Sequence, residues 1–69
     1  MLGQELRTMR ESRGWSLREL ADISGMSREG LSAIERGRRY PSLHTLELLA
    51  ACLDVSFVID PDETRIERN

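Results

Sequence analysis

No lysine occurs in this chain of 69 residues; all ten basic side chains are arginine. Cysteine appears once, as Cys52, which excludes an internal disulfide and a cysteine-based metal site and fits a reducing compartment. Apolar runs are short, far from the ~20 residues of a membrane span. The opening MLGQELRTMR does not follow the basic-then-apolar order of a secretory signal. No membrane is expected as a partner, and the cytoplasm is the expected location. No carboxylate pair, Ser/His pair or glycine-rich phosphate cradle forms a catalytic set. His44 has no second ligand near it in sequence. An enzyme is therefore not expected, nor a metal or other cofactor. A single domain of this size buries only about 60% of the surface its unfolded chain exposes, so a monomer is marginal and dimerisation is a natural remedy.

The formal charge of -2 is unevenly spread. Residues 1–53 hold eight arginines against seven acids, whereas residues 54–69 hold two arginines against five acids. The acidity belongs to the tail. The stretch SREGLSAIERGRR (27–39) alone carries four arginines and two glutamates. Arginine's planar fork suits bidentate contacts to phosphate and to guanine better than lysine's point charge.

Periodicity divides the chain into helices. Leu2, Leu6 and Met9 recur at helical spacing, so residues 2–12 read as an amphipathic helix that Gly14 stops. Ser16 and Glu19 form a capping box that opens a short helix, Leu17–Ile23, with Leu20 and Ile23 expected inward. Gly25 supplies the positive φ of a sharp turn. Ser27 caps a third helix that runs to Arg36 and ends at Gly37, with Leu31 and Ile34 inward. Ser42 caps a fourth, Leu43–Leu53, whose buried stripe is Leu46, Leu49, Ala50 and Leu53. Trp15 reads as a lid on the small core, and Cys52 as a small core residue.

The end of the chain differs. Val55, Phe57, Val58 and Ile59 are β-branched or aromatic, and Pro61 pushes Asp60 out of the helical region. Residues 55–60 read as a strand, and TRIERN (64–69) as a segment that either pairs with it or frays. The expected fold is all-α: a compact four-helix domain over residues 1–54, followed by a C-terminal β-strand and acidic tail over 55–69. An unpaired strand edge is a template for another chain, so Val55, Phe57, Val58 and Ile59 are candidates for pairing with a second copy.

Two short helices, a glycine turn and a third helix form a helix-turn-helix. Small Ala21 suits the close approach of the helices; Leu20, Met26, Leu31 and Ile34 suit the clamp between them. With RGWSLRELA, Gly25-Met26-Ser27 and IERGRRYPSLHTL, residues 2–55 resemble the XRE family, the phage repressor and Cro type. The resemblance implies a sequence-specific transcriptional regulator, most often a repressor, that binds double-stranded DNA with its third helix in the major groove. Carried onto this chain, it puts Arg28, Glu29, Ser32 and Ala33 at base-reading positions. Ser16, Ser27, Arg38 and Arg39 fall at DNA-backbone positions. Arg28 can fork to guanine O6 and N7; Glu29 either accepts from cytosine or favours the helix N-terminus. The resemblance also pairs Arg10 with Glu35 as a structural ion pair. Two residues depart from the pattern: Leu17 replaces a common glutamine, and Gly30 sits inside the recognition helix, either for close approach to DNA or merely tolerated.

The terminal LDVSFVID is similar to HipB-type antitoxins. This implies a homodimer joined through its strands and a near-palindromic operator, and it makes a toxin kinase a conceivable partner. A second function class stands beside regulation: an antitoxin or interaction module that chiefly binds another protein.

Overall fold

The computed structural model describes residues 2–59 and 64–68, with the side chains of 2–55, 66 and 67. Its order is α1 (Leu2–Ser12), α2 (Leu17–Ser24), α3 (Arg28–Glu35), α4 (Leu43–Leu53), β1 (Val55–Ile59) and β2 (Thr64–Arg68). The starts of α2, α3 and α4 each follow from a local polar cap. The Ser16 Oγ accepts from the Glu19 N–H at 3.1 Å while the Ser16 N–H donates to Glu19 Oε1 at 3.0 Å, a complete capping box. Ser27 caps α3 through the Gly30 N–H at 3.0 Å, and Ser42 caps α4 through the Thr45 N–H at 3.2 Å. The ends are equally local. Gly25 closes α2 at φ 75°, where a side chain would be strained. After α3, the Gly37 N–H donates to the Ile34 carbonyl and the Arg38 N–H to the Ala33 carbonyl, at 3.1 and 2.9 Å. This Schellman closure ties the backbone of Arg38 to the end of α3.

The core joins Leu2, Leu6 and Met9 of α1, Leu20 and Ala21 of α2, Leu31 and Ile34 of α3, and Leu46, Leu49 and Leu53 of α4, with Val55 beyond them. Trp15 and Cys52 pack against it from the side, half-buried, and Ala50 is likewise only half-buried. Ile23, expected inward, is 51% exposed. The buried face of α2 is Leu20, Ala21 and Ser24, and at 100° per residue Ile23 stands roughly 110° from its centre. Ser24 survives burial because its hydroxyl accepts from the Met26 N–H at 3.2 Å.

Two contacts lock α1 onto the far end of α3. A Cβ on Gly3 would lie 2.5 Å from the Glu35 carbonyl oxygen, so only glycine lets the helices approach this closely. The second contact is the ion pair. Arg10 Nε and Nη2 donate to the Glu35 carboxylate at 2.9 and 3.1 Å, and Nη1 donates to the Trp15 carbonyl at 2.7 Å. Both side chains are over nine-tenths buried. The hydrogen bond to Glu35 raises the Arg10 pKa above its already high ordinary value; burial opposes this, and the charges of Glu35 and Glu11 add to it. A raised pKa keeps the guanidinium charged at every pH short of strong alkali, so deprotonation of Arg10 does not break the pair below it.

The strand meets a partner in its own chain. β1 pairs antiparallel with β2, Val55 opposite Arg68, Phe57 opposite Ile66 and Ile59 opposite Thr64. Of the two alternatives for TRIERN, pairing and fraying, the first holds for Thr64–Arg68, and the Ile66 N–H is further anchored by Glu5 Oε2 of α1 at 3.3 Å. Val55, a candidate for pairing between copies, is 4% exposed and belongs to its own chain's core. The side chains of Phe57, Val58 and Ile59 lie outside the described residues, as do Asp60, Asp62 and Glu63 of the tail.

Removing one partner of the buried pair strands the other charge. Arg10→Ala and Glu35→Ala should each cost about 3–5 kcal/mol in urea melts, enough to unfold much of so small a domain, whereas Arg10→Met with Glu35→Leu should recover most of the loss. Equal losses in the single and double variants would contradict this. Gly3→Ala should cost about 1–3 kcal/mol by overpacking, read as a lower urea midpoint at unchanged slope.

Candidate nucleic-acid interface

The eight residues of α3 divide between two faces. Leu31, Ile34 and Glu35 are buried. Arg28, Glu29, Ser32, Ala33 and Arg36 line an open groove of about 390 Å³, closed at its sides by Leu17 of α2 and by Arg38. All four expected base-reading residues therefore share one hollow. Arg28 and Glu29 are exposed in the first turn, while Ser32 and Ala33 sit half-buried one turn further on. The helix presents guanidinium groups at its rim and small side chains along its floor.

Among the described residues, the ion pairs are Arg7 with Glu11 at 3.5 Å and Arg10 with Glu35. Arg28, Arg36, Arg38 and Arg39 have no carboxylate partner within that set. Glu35 is spent on Arg10, leaving Glu29 as the acid lining the groove. The surface around α3 is thus basic in a chain whose net charge is negative. A field of this sign raises the local concentration of a polyanion.

Ser16 and Ser27, expected at the DNA backbone, sit at the exposed N-termini of α2 and α3. Each hydroxyl oxygen is used as a cap acceptor, but a hydroxyl also carries one donor hydrogen, which remains available to a phosphate oxygen. Arg38 reaches the groove, and Arg39 does not. It borders a second hollow of about 330 Å³ between α3 and the start of α4, with Gly30, Tyr40 and Ser42. Gly30 lies in that hollow as well, away from the groove floor, and a Cβ there would stand 3.0 Å from the Ser27 Oγ. Glycine at this position keeps the helix cap uncrowded.

Sequence reading undervalued two groove residues. Arg36 follows Ser32 by four and Ala33 by three, a spacing that already assigns it to their face. Leu17, a departure from the family pattern, lines the groove and packs its other side on the core. No group of three His, Cys, Asp or Glu among the described residues is placed to hold a metal. No helix there is long and apolar enough to cross a membrane.

The fold is shared with known proteins. The chain matches the helix-turn-helix family HTH_3 over residues 6–59. It is 39% identical to the HTH-type transcriptional regulator SinR of Bacillus licheniformis over 97% of this chain and 64% of that protein. To SinR of Bacillus subtilis it is 44% identical, over 81% of this chain and 51% of the relative. The chain thus spans between half and two thirds of the length of these relatives. Among solved structures, SinR in complex with DNA superposes with a TM-score of 0.75 at 43% identity, covering 80% of this chain and 92% of that one. The restriction-modification controller protein C.AhdI of Aeromonas hydrophila does so with a TM-score of 0.75 at 41% identity, covering 78% and 82%. With four helices, the capped turn at Gly25 and a match over most of its length, this chain belongs to the HTH_3 helix-turn-helix family.

Proposed function

We propose that this domain is the sequence-specific DNA-binding part of a cytoplasmic transcriptional regulator, acting as a homodimer and repressing by occluding a promoter. The observation that carries the reading is the groove on α3, in which Arg28, Glu29, Ser32 and Ala33 line one basic, solvent-open surface. SinR, with the same helical frame, has been solved bound to DNA. In the proposed complex α3 enters the major groove and α2 crosses the backbone, with the Ser16 and Ser27 hydroxyls and Arg38 and Arg39 on phosphates. Arg28 forks to a guanine.

Dimerisation is assigned to residues 55–69. β2 occupies one edge of β1, and the outward Ile66 N–H of β2 is taken by Glu5, which leaves the outer edge of β1 as the pairing edge for a second copy. A hairpin of two strands is marginal by itself and gains from such extension. An isologous dimer places the two α3 helices about 34 Å apart, so the operator is a near-palindrome with half-sites one helical turn apart.

Selection from random DNA pools should enrich such a palindrome; its absence would remove the regulatory reading. On the selected site, Arg28→Ala should relax preference at one base pair per half-site, at a cost of about 1–3 kcal/mol, whereas Arg38→Ala should weaken all sequences alike. Uniform losses in both variants would mean that Arg28 reads no base. With roughly 4–6 phosphates neutralised per dimer, log K should fall against log salt with a slope of about -4 to -5, and a flat response would contradict the interface. Removing residues 56–69, which spares Val55 in the core, should yield a monomer in sedimentation; a persistent dimer would relocate the interface.

A further inference from the structure

Leu17 and Ala33 put an apolar stretch between arginines. Leu17, the first residue of α2, leans its inner side on the core and gives its outer side to the same groove that Ala33 enters from α3. Arg28, Glu29, Arg36 and Arg38 line the same groove. The charged groups have evident complements in a duplex, namely phosphates and guanine edges. An alkyl wall and a methyl side chain have none among the hydrogen-bonding groups of the bases. On a base edge in the major groove, the apolar complement is a methyl on pyrimidine C5. Thymine carries it always, and cytosine after methylation.

We propose that Leu17 and Ala33 form an apolar seat for the C5-methyl group of a pyrimidine in the operator, which makes Leu17 a specificity-determining residue of this chain. The inference rests on the DNA-binding reading above and deepens it. A side chain able to hydrogen-bond at position 17 would be drawn to phosphate or to Arg28, whereas leucine can only exclude water from whatever abuts it. The methyl is small enough to enter beside Ala33, where a larger residue would fill the floor. Burying it removes one methyl from water, worth roughly a fourfold gain in affinity.

The test uses the full chain and the DNA site recovered from the random pools. Each thymine is replaced in turn by deoxyuridine, which deletes the methyl and leaves every hydrogen-bonding group in place. Each cytosine is separately replaced by 5-methylcytosine. Binding should weaken roughly fourfold at one thymine per half-site, the outcome expected if the source is thymine. A comparable strengthening on cytosine methylation, with all uracil substitutions neutral, supports the same seat with methylcytosine as its occupant. Neutrality in both scans overturns the proposal. In Leu17→Gln, and independently in Ala33→Gly, the methyl dependence should vanish while DNA is still bound. A full-sized dependence persisting in both variants also overturns it. Failure of the unmodified chain to select any DNA would instead remove the DNA-binding reading, so the two failures are distinguishable.

Discussion

The buried bond between Arg10 and Glu35 holds the geometry on which the groove depends. It joins the last turn of α1 to the last residue of α3, and the third arm of the same guanidinium fixes the Trp15 carbonyl just before α2. One side chain thus sets three segments relative to each other. An apolar pair could fill the same volume, and at lower desolvation cost. It could not fix the rotation of α3 about its axis, because dispersion contacts have no direction. A two-pronged bond does, and rotation of α3 decides which residues face outward. Gly3 complements it by letting α1 rest directly on the carbonyls at the end of α3.

The same bond shapes the electrostatics. Seven acids among the first 53 residues nearly cancel eight arginines in number, so the basic surface arises from arrangement. Drawing Glu35 inward onto Arg10 exchanges one buried pair for a surface around α3 where four arginines face one glutamate. Glu29 itself sits in the first turn of α3, where the helix dipole favours it and where it repels phosphate. In the proposed complex it therefore acts against indiscriminate binding and leaves attraction to the arginines around it. Whole-chain charge conceals this division entirely.

The parts of the fold that are legible in the sequence are those whose causes are local. Ser16 with Glu19, Ser27 and Ser42 announce three helix starts because a cap reaches only two or three residues. Glycines 14, 25 and 37 announce the stops. The motif then aligns Arg28, Glu29, Ser32 and Ala33 on one groove, since helical spacing alone puts them on a common side. What escapes is what depends on a distant segment. Ile23 looks like core until Leu20, Ala21 and Ser24 are seen to make the contact, because a two-turn helix has too few apolar residues to fix its own inner face. Gly3 gives no hint of its tight approach to Glu35, thirty-two residues away. TRIERN stays balanced between pairing with β1 and fraying, because its alternation is weak and its anchor, Glu5, lies far along the chain. Asp54 likewise adopts the left-handed φ of 54° that ends α4, a role in which glycine would have been the readable sign.

The shortness of α3 has a consequence for how recognition can change. Ser27 and Gly30 serve its cap; Leu31, Ile34 and Glu35 serve the core and the ion pair; Arg28, Glu29, Ser32, Ala33 and Arg36 serve the groove. No residue between Ser27 and Arg36 is idle. A new binding preference can therefore arise only at the five groove positions, together with the wall at Leu17, without loosening the fold. Leu17 shares a side with the core, so alterations there are constrained from behind as well as from the ligand. Arg28 and Glu29, exposed in the first turn, carry no such burden. In the proposed complex, preference should diverge most readily at the base pairs they face, while what the Leu17 wall contacts stays nearly fixed.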